Sequence, residues 1–284
     1  MKIDETVRRM KVELEPLYGA GEATAIVRLV FYSLKGWETS ELLMNGDRET
    51  SPYLEDKIAG IMKRLKRREP VQYILGEAYF YGLHFKVTPA VLIPRQDSEP
   101  LIDMILKDNR GEDLHVLDIG TGSGCLAIAL ARNLPFARVT AIDNSAAALE
   151  VARENARMLK ARVDFIEADI FKWEPAASSL DIIVSNPPYI DESEKKDMDS
   201  NVKDYEPAQA LFVPDDNPLL YYRRIAAVAA KGLKPGARLY LEINPRHADD
   251  IRNLLQSDGF ADVDITLDIH GARRFATCRR PEAD

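Results

Sequence analysis

From Leu114 onward, apolar runs of strand length alternate with helical patterns, and this alternation restricts the fold more than any other feature of the chain. Leu114 to Ile119, Arg138 to Asp143, Arg162 to Glu167, Leu180 to Ser185 and Arg238 to Ile243 read as strands. Cys125 to Asn133, Ser145 to Leu159, Leu219 to Lys231 and Ala248 to Ser257 read as helices between and after them, Ser145 serving as an N-cap. Regular βα alternation calls for a mostly parallel, Rossmann-like sheet with helices on both faces. Two closing strands, Ala261 to Leu267 and Arg274 to Cys278, have no helix between them, so one strand runs antiparallel. Ligands of such sheets bind at the carboxyl ends of the strands, where the strand order reverses.

The first strand runs into Gly120-Thr121-Gly122-Ser123-Gly124, a turn that opens a helix. Its glycines allow a tight turn and close approach of backbone to a ligand. A phosphate-cradling loop would place Lys-Ser or Lys-Thr after the last glycine, and Cys125-Leu126 stands there instead. A dinucleotide loop has the spacing GxGxxG, whereas this one is GxGxG. Asp143, at the end of the next strand, can bind two ribose hydroxyls, which suits either a dinucleotide or S-adenosylmethionine. With Asp118 and Asp169 it places carboxylates at three strand ends, without a nearby Lys or Arg. Such a set repels a pyrophosphate and favours a sulfonium and an ammonium, so S-adenosylmethionine is the expected ligand.

A later strand ends in Asn186-Pro187-Pro188-Tyr189. Neither proline can donate to a sheet ladder, so the strand stops there and leaves carbonyl acceptors, an amide side chain and an aromatic ring. By itself this is also the composition of a tight turn. Beside a methyl donor it becomes a site for a planar N–H₂ group. Acceptors on the two N–H protons raise electron density on a delocalised nitrogen, and Tyr189 can cover the group's face.

The first seventy residues look like a small helical bundle. Ser51-Pro52 starts a helix whose apolar face is Leu54, Ile58, Ile61, Met62 and Leu65. Ala23 to Leu34 forms a second apolar segment, set off by Gly19, Gly21 and Gly36. Tyr79 to Val87, aromatic and β-branched around Gly82, reads as a hairpin. The expected organisation is a helical docking domain over 1–72, a hairpin linker over 73–95 and the α/β domain over 96–284. Residues 1–70 carry 13 basic and 12 acidic side chains, a net of +1, so of the total net charge of −8 the remainder carries −9. That balance speaks against a broad grip on long nucleic acid. Cys125 and Cys278 lack metal-ligand spacing, and no apolar run is long enough to span a membrane. The expectation is a cytoplasmic monomer without metal.

The glycine loop combined with N-P-P-Y resembles amino-group methyltransferases that use S-adenosylmethionine. More specifically, Pro70-Val71-Gln72-Tyr73-Ile74-Leu75-Gly76, Phe80-Tyr81-Gly82, Val91-Leu92-Ile93-Pro94-Arg95, Glu206-Pro207 with Ala210-Leu211, and Asp268 with Gly271 and Arg274 resemble the release-factor glutamine N5-methyltransferases. The resemblance implies a seven-stranded methyltransferase domain behind a helical domain that docks a protein. It implies a substrate glutamine in the Gly-Gly-Gln motif of peptide-chain release factors. By position, Gly120, Thr121, Gly122, Ser123, Gly124, Asp143, Asp169 and Ile170 would hold the donor. Asn186 would touch donor and glutamine, with Pro187, Pro188 and Tyr189 lining the amide pocket. The chain departs from the family pattern at Gln96-Asp97-Ser98, where Pro-Glu-Thr or Pro-Asp-Thr is usual. It departs also at Ile170, sometimes tryptophan, and at Asn244, commonly glycine. Rival readings are the same chemistry on a ribosomal-protein glutamine or an exocyclic amine of rRNA or DNA, and a nucleotide-binding module without turnover.

Overall fold

The computed structural model describes residues 1–282 and divides into two compact units. The first holds Met1–Glu77 together with Asp199–Tyr205. Its helices are α1 (Ile3–Lys35), α2 (Thr39–Met44), α3 (Pro52–Leu65) and α4 (Val71–Leu75). The segment expected to begin after Gly21 is instead the second limb of α1, which bends at Gly19 (φ 79°) three residues after Pro16. Ser51 caps α3 as its sequence predicts, its side chain accepting from the Leu54 N–H at 3.2 Å. Met10, Leu14, Val27, Val30, Phe31, Ile58 and Leu65 form the core of this unit.

The second unit holds Ala78–Met198 and the chain from Glu206 onward. Its compact boundaries differ from divisions at residues 72 and 95. Tyr73 to Leu75 are helical, because α4 starts beside Pro70 and is closed by Gly76 in the left-handed region (φ 77°). Next comes the hairpin of β1 (Glu77–Phe80) and β2 (Leu83–Lys86). Tyr81 and Gly82 both have positive φ at its turn, the backbone that matches the twist of paired strands. Phe80 and Phe85 are fully buried with Leu101, Ile102 and Ile105 of α5 (Glu99–Asp108), so the hairpin belongs to the core of this unit.

The alternation then runs β3 (His115–Ile119), α6 (Cys125–Asn133), β4 (Arg138–Asp143), α7 (Ala146–Met158), β5 (Val163–Glu167) and β6 (Leu180–Ser185). Two short strands, β7 (Ile190–Asp191) and β8 (Phe212–Val213), pair in parallel and flank α8 (Ser200–Lys203). The chain ends with α9 (Leu220–Gly232), β9 (Leu233–Glu242), α10 (Ala248–Ser257), β10 (Ala261–Leu267) and β11 (Arg273–Arg279). The seven-stranded sheet has the order β10-β11-β9-β6-β3-β4-β5, and only β11 runs against its neighbours. Strand parity splits the apolar runs between two cores. Val116, Ile182 and Val184 face α5 and α6, while Leu117, Ile119 and Ile183 face α9 and α10. The chain steps outward from β3 to β4 and β5, then returns to place β6 on the other side of β3. The strand order reverses between β3 and β6, and the ligand crevice of such a sheet opens there.

Candidate active site

At that reversal the two expected motifs meet. β3 feeds the glycine loop, β6 feeds Asn186-Pro187-Pro188-Tyr189, and Asp118 and Ile119 lie in register with Val184 and Ser185. The Ser185 hydroxyl donates to the Ile119 carbonyl at 2.7 Å, fastening the two strand ends side by side. Between them opens a cleft of about 850 Å³, mouth included. That size suits a small-molecule ligand, for which pockets of about 300–1,000 Å³ are usual. Gly120, Gly122, Asp143, Asp169, Ile170, Asn186, Pro187 and Pro188 line it.

The loop is held from behind. Gly120 and Thr121 donate their N–H groups to the Ile142 carbonyl at 2.9 and 3.1 Å. Gly122 (φ 54°) donates to Asp143 Oδ2 at 2.9 Å. Gly124 has φ 82°, and a Cβ there would stand 3.0 Å from Ile128 Cδ1 and 3.2 Å from the Ala152 Cβ, so the loop presses directly on α6 and α7. Asp143 Oδ1 accepts from the Ser145 N–H at 2.9 Å, which leaves lone pairs on both carboxylate oxygens. Burial raises the pKa of Asp143, and the N–H groups of Gly122, Ser145 and Asn144 counter that rise.

The opposite wall is fixed by Glu206, whose side chain is 1% exposed. It accepts from the Ile93 N–H at 3.1 Å and pairs with Arg95. Val91 and Leu92 are thereby held against Pro207, Gln209 and Ala210 along the cleft. The Ser98 hydroxyl donates at 2.5 Å to Glu242, so the departure from threonine at this position keeps its hydroxyl contact.

The lining accounts for the class of ligand. Among the described residues the lining contains two carboxylates and no Lys or Arg, so a pyrophosphate would meet carboxylates rather than cations along the wall. A cationic nucleoside meets attraction, and Asp143 stands ready for two ribose hydroxyls.

Two family profiles match the chain: a Methyltransferase small domain over residues 96–203 and a PrmC N-terminal domain over residues 6–76. The Release factor glutamine methyltransferase of Bacteroides thetaiotaomicron is 42% identical, over 95% of this chain and 98% of that protein. The chain belongs to the release factor glutamine methyltransferase family. A second member, from Streptococcus pneumoniae, is 40% identical over 85% of this chain and 86% of its own length. Among solved structures, a methyltransferase from Pyrococcus furiosus superimposes with a TM-score of 0.52 at 18% identity, covering 78% of this chain and 99% of that one. That likeness supports the seven-stranded methyltransferase fold.

In this family member the predicted site residues fall into two groups. Eight line the cleft, while Thr121, Ser123, Gly124 and Tyr189 stand behind it. The Thr121 hydroxyl donates to Asp118 Oδ2 at 2.6 Å, and the Ser123 carbonyl accepts from Asn155 Nδ2 at 2.9 Å. Only two of the three expected carboxylates, Asp143 and Asp169, reach the cleft. Strand parity turns Asp118 toward the α6 face, where it is fully buried; burial pushes its pKa up to about 7, and the hydrogen bonds from the Thr121 hydroxyl and the Ala127 N–H oppose that rise. Asp169 is not free of cations either: Lys172 sits 3.3 Å away at the surface. The Phe171 N–H and that lysine hold the Asp169 carboxyl below its usual range.

Sequence reasoning missed several residues. Phe171 and Tyr221 both line the cleft, with ring centroids 5.3 Å apart, so an aromatic wall exists although position 170 is isoleucine. Glu242 and Asn244 reach Tyr189 from the end of β9 and just beyond. A lone acid closing the apolar run Leu239-Tyr240-Leu241 was the available signal for Glu242, the same signal that marked Asp143.

Proposed function

We propose that this chain transfers the methyl group of S-adenosylmethionine to the N5 amide nitrogen of the glutamine in the Gly-Gly-Gln motif of peptide-chain release factors. The observation that carries this reading is the shared cleft, in which Asn186, Pro187 and Pro188 face the loop and carboxylates of the donor side. Gly120 and Gly122 offer the donor bare backbone, Asp143 the acceptors for its ribose, and Phe171 and Tyr221 an aromatic wall for its base. The bound donor supplies an electrophilic methyl group on a positively charged sulfur.

The residues of the chain do the rest. The Asn186 side-chain amide makes no hydrogen bond among the described residues, so its oxygen is available to accept an N–H of the glutamine. The Pro187 carbonyl can accept the second. Both contacts draw electron density toward the nitrogen and fix it for in-line attack, which is where most of the rate enhancement arises. Once methylated, the nitrogen is strongly acidic and releases its proton to water, so no dedicated base is required. The helical first unit serves in this reading as the docking surface for the factor.

The test is incubation of the chain with methyl-labelled donor and a purified release factor. Label should appear on the factor and vanish when its Gly-Gly-Gln glutamine is replaced by alanine. Label that persists on that variant, or that never appears, refutes the reading.

A further inference from the structure

Behind the tetrapeptide lies a buried carboxylate that the reaction above does not use. Glu242 ends β9 and is 3% exposed. Its oxygens are held by two neutral hydroxyls, Ser98 Oγ on Oε2 at 2.5 Å and Tyr189 on Oε1 at 2.9 Å. The Arg274 guanidinium is engaged by Asp268 at 3.2 Å and reaches the Tyr189 hydroxyl at 3.5 Å. Asp268 in turn accepts from the His270 and Ala272 N–H groups, so Arg274 is itself anchored. A carboxylate buried on two neutral hydroxyls, with only the nearby Arg274 charge to favour its ionised form, costs stability through desolvation, which raises its pKa. A carboxylate in this place therefore points to work other than holding the fold.

The work visible in the structure is the immobilisation of Tyr189. Its N–H donates to the Leu211 carbonyl at 3.2 Å. Its own carbonyl accepts from Asn244 Nδ2 at 3.0 Å, and its hydroxyl is held by Glu242. Asn244 uses the same amide group to reach Glu194 Oε2 at 2.9 Å, and its Oδ1 accepts from the Arg246 N–H at 3.0 Å. A glycine at position 244 could make none of these side-chain bonds. Tyr189 packs against the core rather than lining the cleft, yet it is covalently next to Pro188, which does line it. The peptide between them is planar, so fixing the Tyr189 N–H also fixes the plane of the Pro188 carbonyl.

We propose that Glu242 and Asn244 are positioning residues for methyl transfer, which clamp Tyr189 at its hydroxyl and its carbonyl and so set the Asn186–Pro188 stretch in the cleft. The proposal rests on the reading that this stretch receives the substrate amide. Misplacement of a reacting group by about 1 Å costs on the order of 100-fold in rate, so a loosened Tyr189 should be felt in turnover.

The experiment uses the full chain, with S-adenosylmethionine affinity measured by calorimetry and kcat and KM measured on a release factor. Glu242→Gln keeps size and an acceptor oxygen but removes the charge. It should lower kcat about tenfold, with donor affinity and the KM for the factor within about twofold of wild type. Asn244→Gly should lower kcat in the same selective way, and it keeps the proposal testable if Glu242→Gln misfolds. Because Glu242 acts through the Tyr189 hydroxyl, Glu242→Gln combined with Tyr189→Phe should be no slower than the slower single variant. Losses that multiply in the double variant overturn the proposal, as do an unchanged kcat or a loss confined to donor affinity. A wild-type chain that methylates no factor defeats the proposed function instead, so the two failures are distinguishable.

Discussion

Replacing Glu206 by alanine tests whether the cleft wall is built by one buried carboxylate. The side chain is almost fully enclosed and serves two donors, the Ile93 N–H and the Arg95 guanidinium. A hydrogen bond to a charged group contributes about 1.5–3 kcal/mol, and breaking a buried ion pair from one side costs about 3–5 kcal/mol. Arg95 is 37% exposed, so water replaces much of its lost partner and the pair must be discounted. The Ile93 N–H has no such relief. A net loss of about 2–4 kcal/mol follows, which at about 2–4 °C per kcal/mol is a fall in Tm of roughly 4–16 °C. Glu206→Gln retains an acceptor for Ile93 and should lose about half as much. Scanning calorimetry gives the Tm values, and titration with S-adenosylmethionine should show weaker binding for Glu206→Ala, because Val91, Leu92 and Pro207 line the cleft. A Tm within about 1 °C of wild type, or equal losses for the two variants, refutes this account of the wall.

Asn186→Ala should lower kcat about 100-fold or more, the usual cost of deleting one hydrogen bond aimed at the reacting group, as rapid-quench kinetics would show. Asp118 binds its proton more tightly folded (about 7) than unfolded (3.8), so its contribution to stability is present below pH 4 and is lost as pH rises through about 7. Urea midpoints measured between pH 4 and 7 should therefore fall for wild type relative to Asp118→Asn, and parallel curves would exclude the assignment. Gly124→Ala combines a left-handed backbone with a Cβ pressed on Ile128 and Ala152, and should cost about 2 kcal/mol in urea unfolding. No loss there would mean that the loop does not press on α7.

The sheet and its helices were legible because their signals are local. Apolar runs gave the strands within one residue of their ends, except that β9 begins at Leu233, five residues before the expected Arg238. Ser145 marked the start of α7, where its hydroxyl accepts from the Ala148 N–H. The meeting of the glycine loop with Asn186–Tyr189 followed from chain order together with the rule that such sheets reverse at a crevice. What stayed hidden depends on contacts between distant residues. The pairing of Ile190 with Phe212 joins two-residue strands 22 positions apart, too short for any periodicity. Parity does place Asp118 on the face of Val116, but the burial that raises its pKa comes from a helix packed above. Nothing local to Tyr189 tells that its hydroxyl turns toward Glu242, 53 positions later.

The membership of Asp199–Tyr205 in the first unit has a consequence for how the protein is made. The Tyr205 hydroxyl donates to the Arg67 carbonyl at 2.7 Å, and α8 completes a body whose other residues end at Glu77. A ribosome adds roughly 5–20 residues per second, so the helices wait several seconds or more for their last piece to emerge. During that interval they must persist on the core that α1 to α4 build among themselves. A gene cut between residues 77 and 78 would separate that piece permanently from the helices it completes.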